Sequence, residues 1–264
     1  LMAKPPEEFP QPVDQEQEKK IGLDGKELKS IISATSFAVS RDELKPALTG
    51  VLFKFTPEGL IAVATDGHRL VKHKKNNIKT ENFKGEVIIP RKFLSYMSSY
   101  LSEGETTLLI GNSHLSAKIK KDKITTRIIG EKFPDYESVI PKDNDKVFKS
   151  EKESFLGAVK RVSIFSNKST HQVAISLSSS SCVVTTEDPE KSSKAKESVD
   201  STFEGEDLII GYNAEYLKDI INHIPGQNIV AKFSTPVSAA LFSSLTELDN
   251  TENLMLLMPI RLND

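Results

Sequence analysis

Four residues with reactive side chains stand together in the segment ATDGHRL, residues 64–70. Thr65, Asp66, His68 and Arg69 offer a hydroxyl, a carboxylate, an imidazole and a guanidinium directly after the apolar run LIAVA. An acid, a base and a cation at one strand end could support general acid–base chemistry. The segment therefore raises an enzyme hypothesis in which Thr65, Asp66 and His68 act. The competing interpretation is structural, because an Asp-Gly dipeptide is a common turn sequence.

The rest of the chain gives little support to catalysis or metal binding. Cys182 lies in an alternating pattern beside Val183 and Val184, which favours a small core residue over a nucleophile. His68 and His73 are five residues apart, so a strand would place them on opposite faces and disfavour joint metal ligation. The sequence has no GxGxxG, Walker A, HExxH or paired CxxC motif. We therefore expect no metal and no cofactor.

The composition excludes several classes of protein. The 264 residues favour two domains, and the 38% hydrophobic content can build ordinary cores. A single cysteine excludes an internal disulfide framework and fits a reducing, cytoplasmic location. The sequence lacks an apolar run long enough for a membrane span. A net charge of −2 argues against a whole-surface nucleic-acid binder but permits a basic stripe on one face.

The elements that must position these residues come as one unit of roughly 120 residues used twice. Each copy begins with a short amphipathic helix that carries a capping-box pattern at its start. The first helix, within 24–39, has Asp24 and Glu27 as its box, and the second, within 150–166, has Ser150 and Glu153. A strand–turn–strand pattern follows in each copy, then a strand that runs into a helix, then further strand-like runs.

This arrangement predicts an α+β fold with the helices on one face of antiparallel sheet, and roughly six to eight strands per copy. We predict domains at residues 19–139 and 140–264. Residues 1–18 are rich in Pro, Glu, Gln and Lys and are predicted to be a solvated linker. Because the chain starts inside such a segment, we expect it to be a fragment of a longer protein.

The polar faces of the helices lean basic although the whole chain is slightly acidic. Such faces could contact a phosphate backbone without reading its sequence, while the simpler alternative is a plain solvated surface. We expect no large aromatic residue on these faces, which counts against stacking on single strands. The candidate DNA-binding residues are Lys26, Lys29, Arg91, Lys92, Lys160 and Arg161.

The C-terminal segment LMLLMPIRLND is unusually apolar for a chain end. It is either a last core strand or one wall of a groove for a partner peptide. Alternation predicts a strand up to Met258. Pro259 should then end the ladder and leave Ile260 to Leu262 free to face outward.

Six motifs together resemble the bacterial sliding clamp family, the β subunit of DNA polymerase III. The motifs occur in the family's order and extend over nearly the whole chain; they are ATDGHRL, VIIPRKFL, FPDYESVIP, RVSIFSN, IIGYNAEYL and LMPIRL. The resemblance implies the DNA-clamp fold and a non-catalytic processivity factor of the DNA-directed DNA polymerase holoenzyme. The implied partners are double-stranded DNA, polymerase subunits, the clamp loader and repair proteins, with no membrane.

In the family, ATDGHRL and the C-terminal segment line a groove that takes short linear motifs of partner proteins. The matching positions here are Leu48, Thr65, Gly67, His68, Arg69, Leu70, Pro134, Val139, Asn213, Tyr216, Val237, Met258, Pro259, Ile260, Arg261 and Leu262. The leucines and Val139 would form an apolar pocket, Met258 would adapt to different ligands, and Thr65, His68 and Arg69 would supply polar edges. Ser138 departs from the pattern, because many relatives carry Arg there.

The family subunit has three copies of the repeat, and two subunits close head to tail into a ring around duplex DNA. This chain resembles the second and third copies, so we expect residues 1–18 to follow a first copy, and we expect the chain as written not to close a homodimeric ring. Two alternatives stay open. One is an enzyme that uses Thr65, Asp66 and His68; the other is a shortened homologue that acts only as a peptide-binding adaptor.

Overall fold

The computed structural model describes residues 5, 19–76, 78, 80, 84–246 and 250–262, so the predicted linker lies almost wholly outside the described residues. The first unit contains β1 (Lys19–Asp24), α1 (Gly25–Thr35), β2 (Gly50–Thr56), β3 (Gly59–Thr65), β4 (Arg69–Asn76), β5 (Gly85–Pro90), α2 (Arg91–Tyr100), β6 (Glu105–Ile110), β7 (His114–Ile119) and β8 (Asp122–Arg127). The second contains β9 (Lys146–Glu151), α3 (Lys152–Ser163), β10 (Gln172–Ser178), β11 (Ser181–Asp188), β12 (Ser193–Glu204), β13 (Leu208–Asn213), α4 (Ala214–His223), β14 (Asn228–Phe233), β15 (Ala240–Ser244) and β16 (Thr251–Leu257).

The strand order confirms the internal repeat. The first unit pairs its strands in the orders β5-β2-β3-β4 and β1-β6-β7-β8. The second unit repeats both orders as β13-β10-β11-β12 and β9-β14-β15-β16. Every pairing is antiparallel, so the predicted α+β class with antiparallel sheet is confirmed, and each described unit has eight strands.

The helices bury one apolar face each against these sheets. In α1 the buried side is Leu28, Ile31 and Ile32, whose spacing of three and four residues places them on one face. The helices pair within each unit, α1 against α2 and α3 against α4. Within the described part, no helix has both the length and the apolar character needed to cross a membrane.

The two units join in one continuous sheet through β4 and β16. These strands pair antiparallel from Lys75, opposite Thr251, to Arg69, opposite Leu257. Leu70 lies opposite Leu256 in the same ladder. The C-terminal end of β16 therefore lies beside the last two residues of the segment 64–70.

The predicted helix starts are right in one unit and wrong in the other. The carboxylate of Asp24 accepts hydrogen bonds from the amides of Lys26, at 2.9 Å, and Glu27, at 3.1 Å. Helix α1 ends at Thr35, and the predicted remainder is a single 3₁₀ turn over Ser36–Ala38.

In the second unit, the cap of α3 is Glu151 and not Ser150. The carboxylate of Glu151 accepts hydrogen bonds from the amides of Glu153 and Ser154. Ser150 still belongs to β9, where it pairs with Ser201 of β12, and its hydroxyl donates to the carbonyl of Asp200 at 3.1 Å. Glu151 is also held extended in β9, opposite Asn228 of β14, so the first helical residue is Lys152 and the cap is Glu151.

Candidate functional site

The segment 64–70 forms a tight turn between β3 and β4, and its polar groups bond to the turn itself. The Thr65 hydroxyl donates to the carbonyl of Arg69 at 2.7 Å and accepts the amide of Gly67 at 3.1 Å. Oδ1 of Asp66 accepts the amides of His68 at 2.9 Å and Arg69 at 3.0 Å. Gly67 has a φ of +92°, a backbone conformation that favours glycine. Thr65 and Asp66 are therefore turn-forming residues.

Arg69 joins the turn to the second unit. Its Nε lies 3.0 Å from Oδ2 of Asp66, and its Nη1 lies 2.6 Å from Oδ2 of Asp219 on α4. Its Nη2 donates to the carbonyl of Phe37 at 2.9 Å, and the guanidinium lies 4.6 Å from the centroid of the Tyr216 ring. We call this group, Arg69 with Asp66, Asp219, Phe37 and Tyr216, the arginine clasp. Its arginine is only 8% exposed.

The position of Arg69 differs from the polar groove edge that the resemblance implies. The bonds to Asp66, Asp219 and the Phe37 carbonyl direct its donors into the protein. A buried cation needs such partners, because an unpaired one would cost several kcal/mol. Arg69 thus holds α4 against the turn and presents little of itself to a ligand.

His68 has an exposed side chain and stacks on Tyr216. The two ring centroids are 5.7 Å apart with an interplanar angle of 19°. The carbonyl of His68 accepts the amide of Met258 at 2.8 Å. His68 therefore lies between α4 and the C-terminal segment. Across the described ranges, no group of His, Cys, Asp or Glu side chains is arranged to hold a metal ion.

The C-terminal segment crosses from one strand to another, so the expectation that residues 260–262 face outward freely is wrong. Pro259 follows the end of β16, and the amide of Ile260 then donates to the carbonyl of Gly211 on β13 at 2.9 Å. A Cβ on Gly211 would come within 2.7 Å of both the Ile260 carbonyl and Cδ2 of Leu262. Because β13 is the end strand of its sheet, its outer edge is open to this extra pairing.

A separate apolar cluster at the β4–β16 ladder draws side chains from both units. Leu70 and Leu256 meet across the β4–β16 ladder in it, and Leu48 packs against its side. The buried members are Leu52, Val63, Leu70, Ile88, Phe133, Tyr136, Ala239 and Leu256. We call this set the floor cluster. Leu70 is 2% exposed, so it belongs to the floor and not to an open wall.

Three large apolar side chains remain exposed around the floor cluster. Val139 is 55% exposed, Val237 is 66% exposed and Met258 is 41% exposed. Val139 directly precedes Ile140, which packs on the cluster, and Val237 is two residues before its member Ala239. We call Val139, Val237 and Met258 the apolar rim. Exposed apolar side chains that neighbour members of a packed cluster in the chain can receive the apolar side chains of a ligand.

Four further predicted groove residues lie at the start of α4, in the segment before Val139 and in the C-terminal segment. Asn213 caps α4, because its Oδ1 accepts the amides of Glu215 at 2.9 Å and Tyr216 at 3.4 Å. Pro134 and Arg261 are exposed, and Leu262 is half-buried over Gly211.

The sequence analysis missed Tyr136, although it lies in the quoted motif FPDYESVIP. Its ring is a buried part of the floor cluster, and Nζ of Lys72 lies 5.8 Å from the ring centroid. Burial, with Glu137 beside it, raises the pKa of Tyr136 to about 12. The signal is an aromatic residue between Pro134 and Val139, two positions that the resemblance assigns to the groove.

The predicted DNA-binding residues lie on two helix pairs. Lys26, Lys29 and Lys92 are exposed and Arg91 is half-buried, on the adjacent helices α1 and α2. Lys160 is also exposed, on α3. Arg161 differs from the others, because its guanidinium forms a bidentate ion pair with Glu197 of β12.

The expectation that the polar helix faces lack large aromatic residues is wrong. Tyr96 is 55% exposed and Tyr100 is 43% exposed, both on α2. The buried side of this helix is Phe93, Leu94 and Met97. Tyr96 is two residues from Leu94, about 200° around the helix, which turns it away from the core.

Comparison with known proteins finds matches over nearly the whole chain. The family model for the central domain of the DNA polymerase III β subunit matches residues 22–135, and the model for its C-terminal domain matches residues 137–261. The β sliding clamp of Vibrio cholerae is 30% identical over 264 residues, which cover 99% of this chain and 71% of the relative. The Chlamydia muridarum β sliding clamp is 29% identical and is likewise covered over 71% of its length.

Solved structures agree with the sequence comparison. A Pseudomonas aeruginosa sliding clamp with a ligand matches at a TM-score of 0.92 and 29% identity, covering 98% of this chain and 70% of the other. A second structure from that organism, bound to griselimycin, matches at 0.91 with 28% identity, covering 98% of this chain and 70% of the other. The Bacillus subtilis sliding clamp matches at 0.90 with 27% identity, covering 97% and 68%.

Proposed function

The chain belongs to the bacterial sliding clamp family, the β subunit of DNA polymerase III, and from that premise we propose how its parts work. We propose that it is a non-catalytic processivity clamp whose central domain is residues 19–139 and whose C-terminal domain is residues 140–264. In the full-length form, two subunits would close head to tail around duplex DNA. The alternative of an enzyme at Thr65, Asp66 and His68 has no support, because the first two side chains bond to their own turn.

The groove between the two units would take short linear motifs of polymerase subunits, the clamp loader and repair proteins. The observation that carries this proposal is the apolar rim above the floor cluster, beside the stacked rings of His68 and Tyr216. Exposed apolar side chains cost free energy in water, and a peptide that covers them recovers it. A flexible Met258 on the rim suits partners of different shape.

The sixteen groove residues would then divide by role. The apolar rim, with Pro134, Pro259 and Ile260, would contact the peptide, while Leu48, Leu70 and Leu262 would support it from beneath. His68, Tyr216 and Arg261 would supply polar and aromatic contacts. Thr65, Gly67, Arg69 and Asn213 would act by holding the turn and the start of α4 in place, since their polar groups or backbone are used there.

DNA contact would fall mainly on α1 and α2. Lys26, Lys29, Arg91 and Lys92 lie on these packed helices, and Lys160 adds a charge on α3. Arg161 would contribute less, because Glu197 already neutralises it. Contacts to phosphates alone carry no sequence preference, and their affinity falls as salt rises.

A calorimetric titration with a clamp-binding peptide tests the groove. We expect binding in the micromolar range for the wild type. Met258→Ala should weaken it by about 1–2 kcal/mol, roughly one decade of affinity, because it removes exposed apolar contact area. Ile164→Ala is the matched control, since Ile164 is 75% exposed but lies at the end of α3 outside the rim. Equal affinity of both variants for the peptide would reject the groove proposal.

A further inference from the structure

A second concave surface lies in the first unit, between the segment 40–49 and the start of α2. It encloses a cavity of about 830 Å³. Three cations, Arg41, Arg91 and Lys92, line it together with Tyr96, and Glu43 is its one acidic lining residue. In the described ranges, no ion pair joins any of the three cations to another residue. With three cationic side chains and one acidic side chain in its lining, the cavity carries a formal net charge of +2.

The backbone adds to this positive potential. Pro90 stands at the N-cap of α2 and forms no side-chain cap hydrogen bond. The first amides of a helix point out of its N-terminus and favour anions. Here they accompany the side chains of Arg91 and Lys92, which begin the same helix. The cations and the helix end together make the cavity suited to a phosphate group.

Two exposed tyrosines continue from the cavity along α2. Tyr96 lines the cavity, and Tyr100 follows four residues later, about 6 Å further along the helix axis. Their hydroxyl oxygens are 2.7 Å apart, and their ring centroids are 5.0 Å apart at an angle of 57°. The hydrogen bond holds the two rings relative to each other, and it raises the pKa of Tyr100. We call this pair the tyrosine ledge.

We propose that the cavity and the tyrosine ledge bind a single-stranded segment of DNA. A phosphate would lie among Arg41, Arg91 and Lys92, and successive bases would stack on Tyr96 and Tyr100. Cations that follow the backbone, next to aromatic rings that accept any base, are the combination used in single-strand binding. The proposal rests on the proposed role as a DNA clamp and deepens it, because it adds a form of DNA that the helix charges alone do not distinguish.

The rings of Tyr96 and Tyr100 would favour single-stranded over double-stranded DNA. In a duplex the faces of the bases are covered by their neighbours, so an exposed tyrosine ring has no base face to stack on. The phosphates of a duplex could still meet Arg91 and Lys92. Single strands should therefore depend on both the rings and the cations, whereas duplex DNA should depend on the cations alone.

Two fluorescence measurements on the 264-residue chain test this separation. Anisotropy of a labelled oligo(dT) and of a labelled short duplex gives both affinities at low salt. We expect Tyr96→Ala to weaken oligo(dT) binding by about tenfold, and Tyr96→Phe, which keeps the ring, to retain most of it. Duplex affinity should not change with either variant. Arg91→Ala combined with Lys92→Ala should weaken both ligands.

The chain's own tyrosines report the stacking directly, because it has five tyrosines and no tryptophan. Oligo(dT) should quench tyrosine fluorescence in the wild type, and Tyr96→Ala should lose much of that quenching. Phe165→Ala is the matched control, since Phe165 is an exposed aromatic residue beyond the end of α3. Circular dichroism of each variant checks that the fold is kept.

The outcomes separate this inference from the proposed function. Duplex binding through Arg91 and Lys92, with oligo(dT) affinity unchanged by Tyr96→Ala, would overturn the inference and leave the clamp proposal standing. A second outcome is that Tyr96→Ala loses oligo(dT) binding while neither the wild type nor any variant binds the duplex. That result would support the inference and count against the proposed duplex contacts of α1 and α2. If polyglutamate displaces oligo(dT) and quenches the tyrosines equally well, the cavity is a general anion site and the inference is wrong.

Discussion

The guanidinium of Arg69 has five N–H donors in a planar fork, and the fold directs them at Asp66, Asp219 and the Phe37 carbonyl. The family resemblance implies that Arg69 belongs to the groove, but the direction of its donors depends on where α4 packs. That packing involves residues 150 positions apart in the chain. Residue types near a turn are readable from sequence, whereas their partners across a domain contact are not.

Arg69→Lys should destabilise the protein although the charge is kept. A lysine ammonium is compact, so it cannot reach both carboxylates and the carbonyl while it covers the Tyr216 ring. We expect the free energy of unfolding to fall by about 2 kcal/mol. Denaturant unfolding measures it, with Arg261→Lys as the control, because Arg261 is exposed in the same region. Equal stability of the two variants would show that the arginine clasp has no structural role.

His73 should make the β4–β16 contact sensitive to acid. It is 6% exposed opposite Asn253, and burial, with Lys75 nearby, lowers its pKa from 6.5 to about 4. Between these values the unfolded chain binds more protons than the folded one. The contribution of His73 to the free energy of unfolding is therefore complete above about pH 6.5 and is lost as the pH falls toward 4.

The expected loss at about pH 5 is roughly 2 kcal/mol relative to about pH 7. Urea unfolding of the wild type and of His73→Gln, at both pH values, measures it. The variant cannot titrate at this position, so its stability should change less over the same interval. A wild type and variant with parallel pH dependence would contradict the assignment.

Among the helices and strands, those with a strong apolar pattern could be predicted from the sequence, and those without one could not. The hairpins β2–β3 and β10–β11 match the strand–turn–strand pattern predicted in each copy, because their alternation is strong and their turns are short. Strands β9 and β12 were not, since charged and small residues fill most of their positions and little apolar alternation remains. They are strands because neighbouring ladders hold them, which is a tertiary effect on weak local preference. The same ladder moved the cap of α3 from Ser150 to Glu151.

Gly211→Ala should detach the C-terminal segment from β13. The added methyl group would approach within 2.7 Å of the Ile260 carbonyl and of Leu262 Cδ2, closer than real contacts allow. The segment must then move away, and peptide affinity should fall about tenfold, a loss of about 1.4 kcal/mol. Gly130→Ala is the control, because its added Cβ meets nothing within 4 Å. The two variants are compared by calorimetry, and a Gly211 variant that binds like the wild type would exclude this contact from the groove.

On the scale of the whole molecule, the continuous ladder between β4 and β16 places the groove at the junction of two repeated units. The floor cluster, the arginine clasp and the C-terminal segment each use residues from both sides. The repeat was visible in the sequence, and so was the family. The β4–β16 pairing was not visible in the sequence, because no local pattern tells which strand of one unit pairs with which strand of the next.

The central claim is that this junction binds a peptide, and deletion of residues 259–264 tests it most directly. The ladder of β16 ends at Leu257, so the deletion keeps that ladder, removes only the bridge from Ile260 to Gly211, and should lower thermal stability only slightly. Peptide binding should fall at least about tenfold, because Pro259 and Ile260 no longer contact the peptide and Leu262 no longer supports the rim. Calorimetry on the truncated and complete chains decides. A truncated protein that still unfolds cooperatively and binds the peptide as tightly as the complete chain would contradict the account.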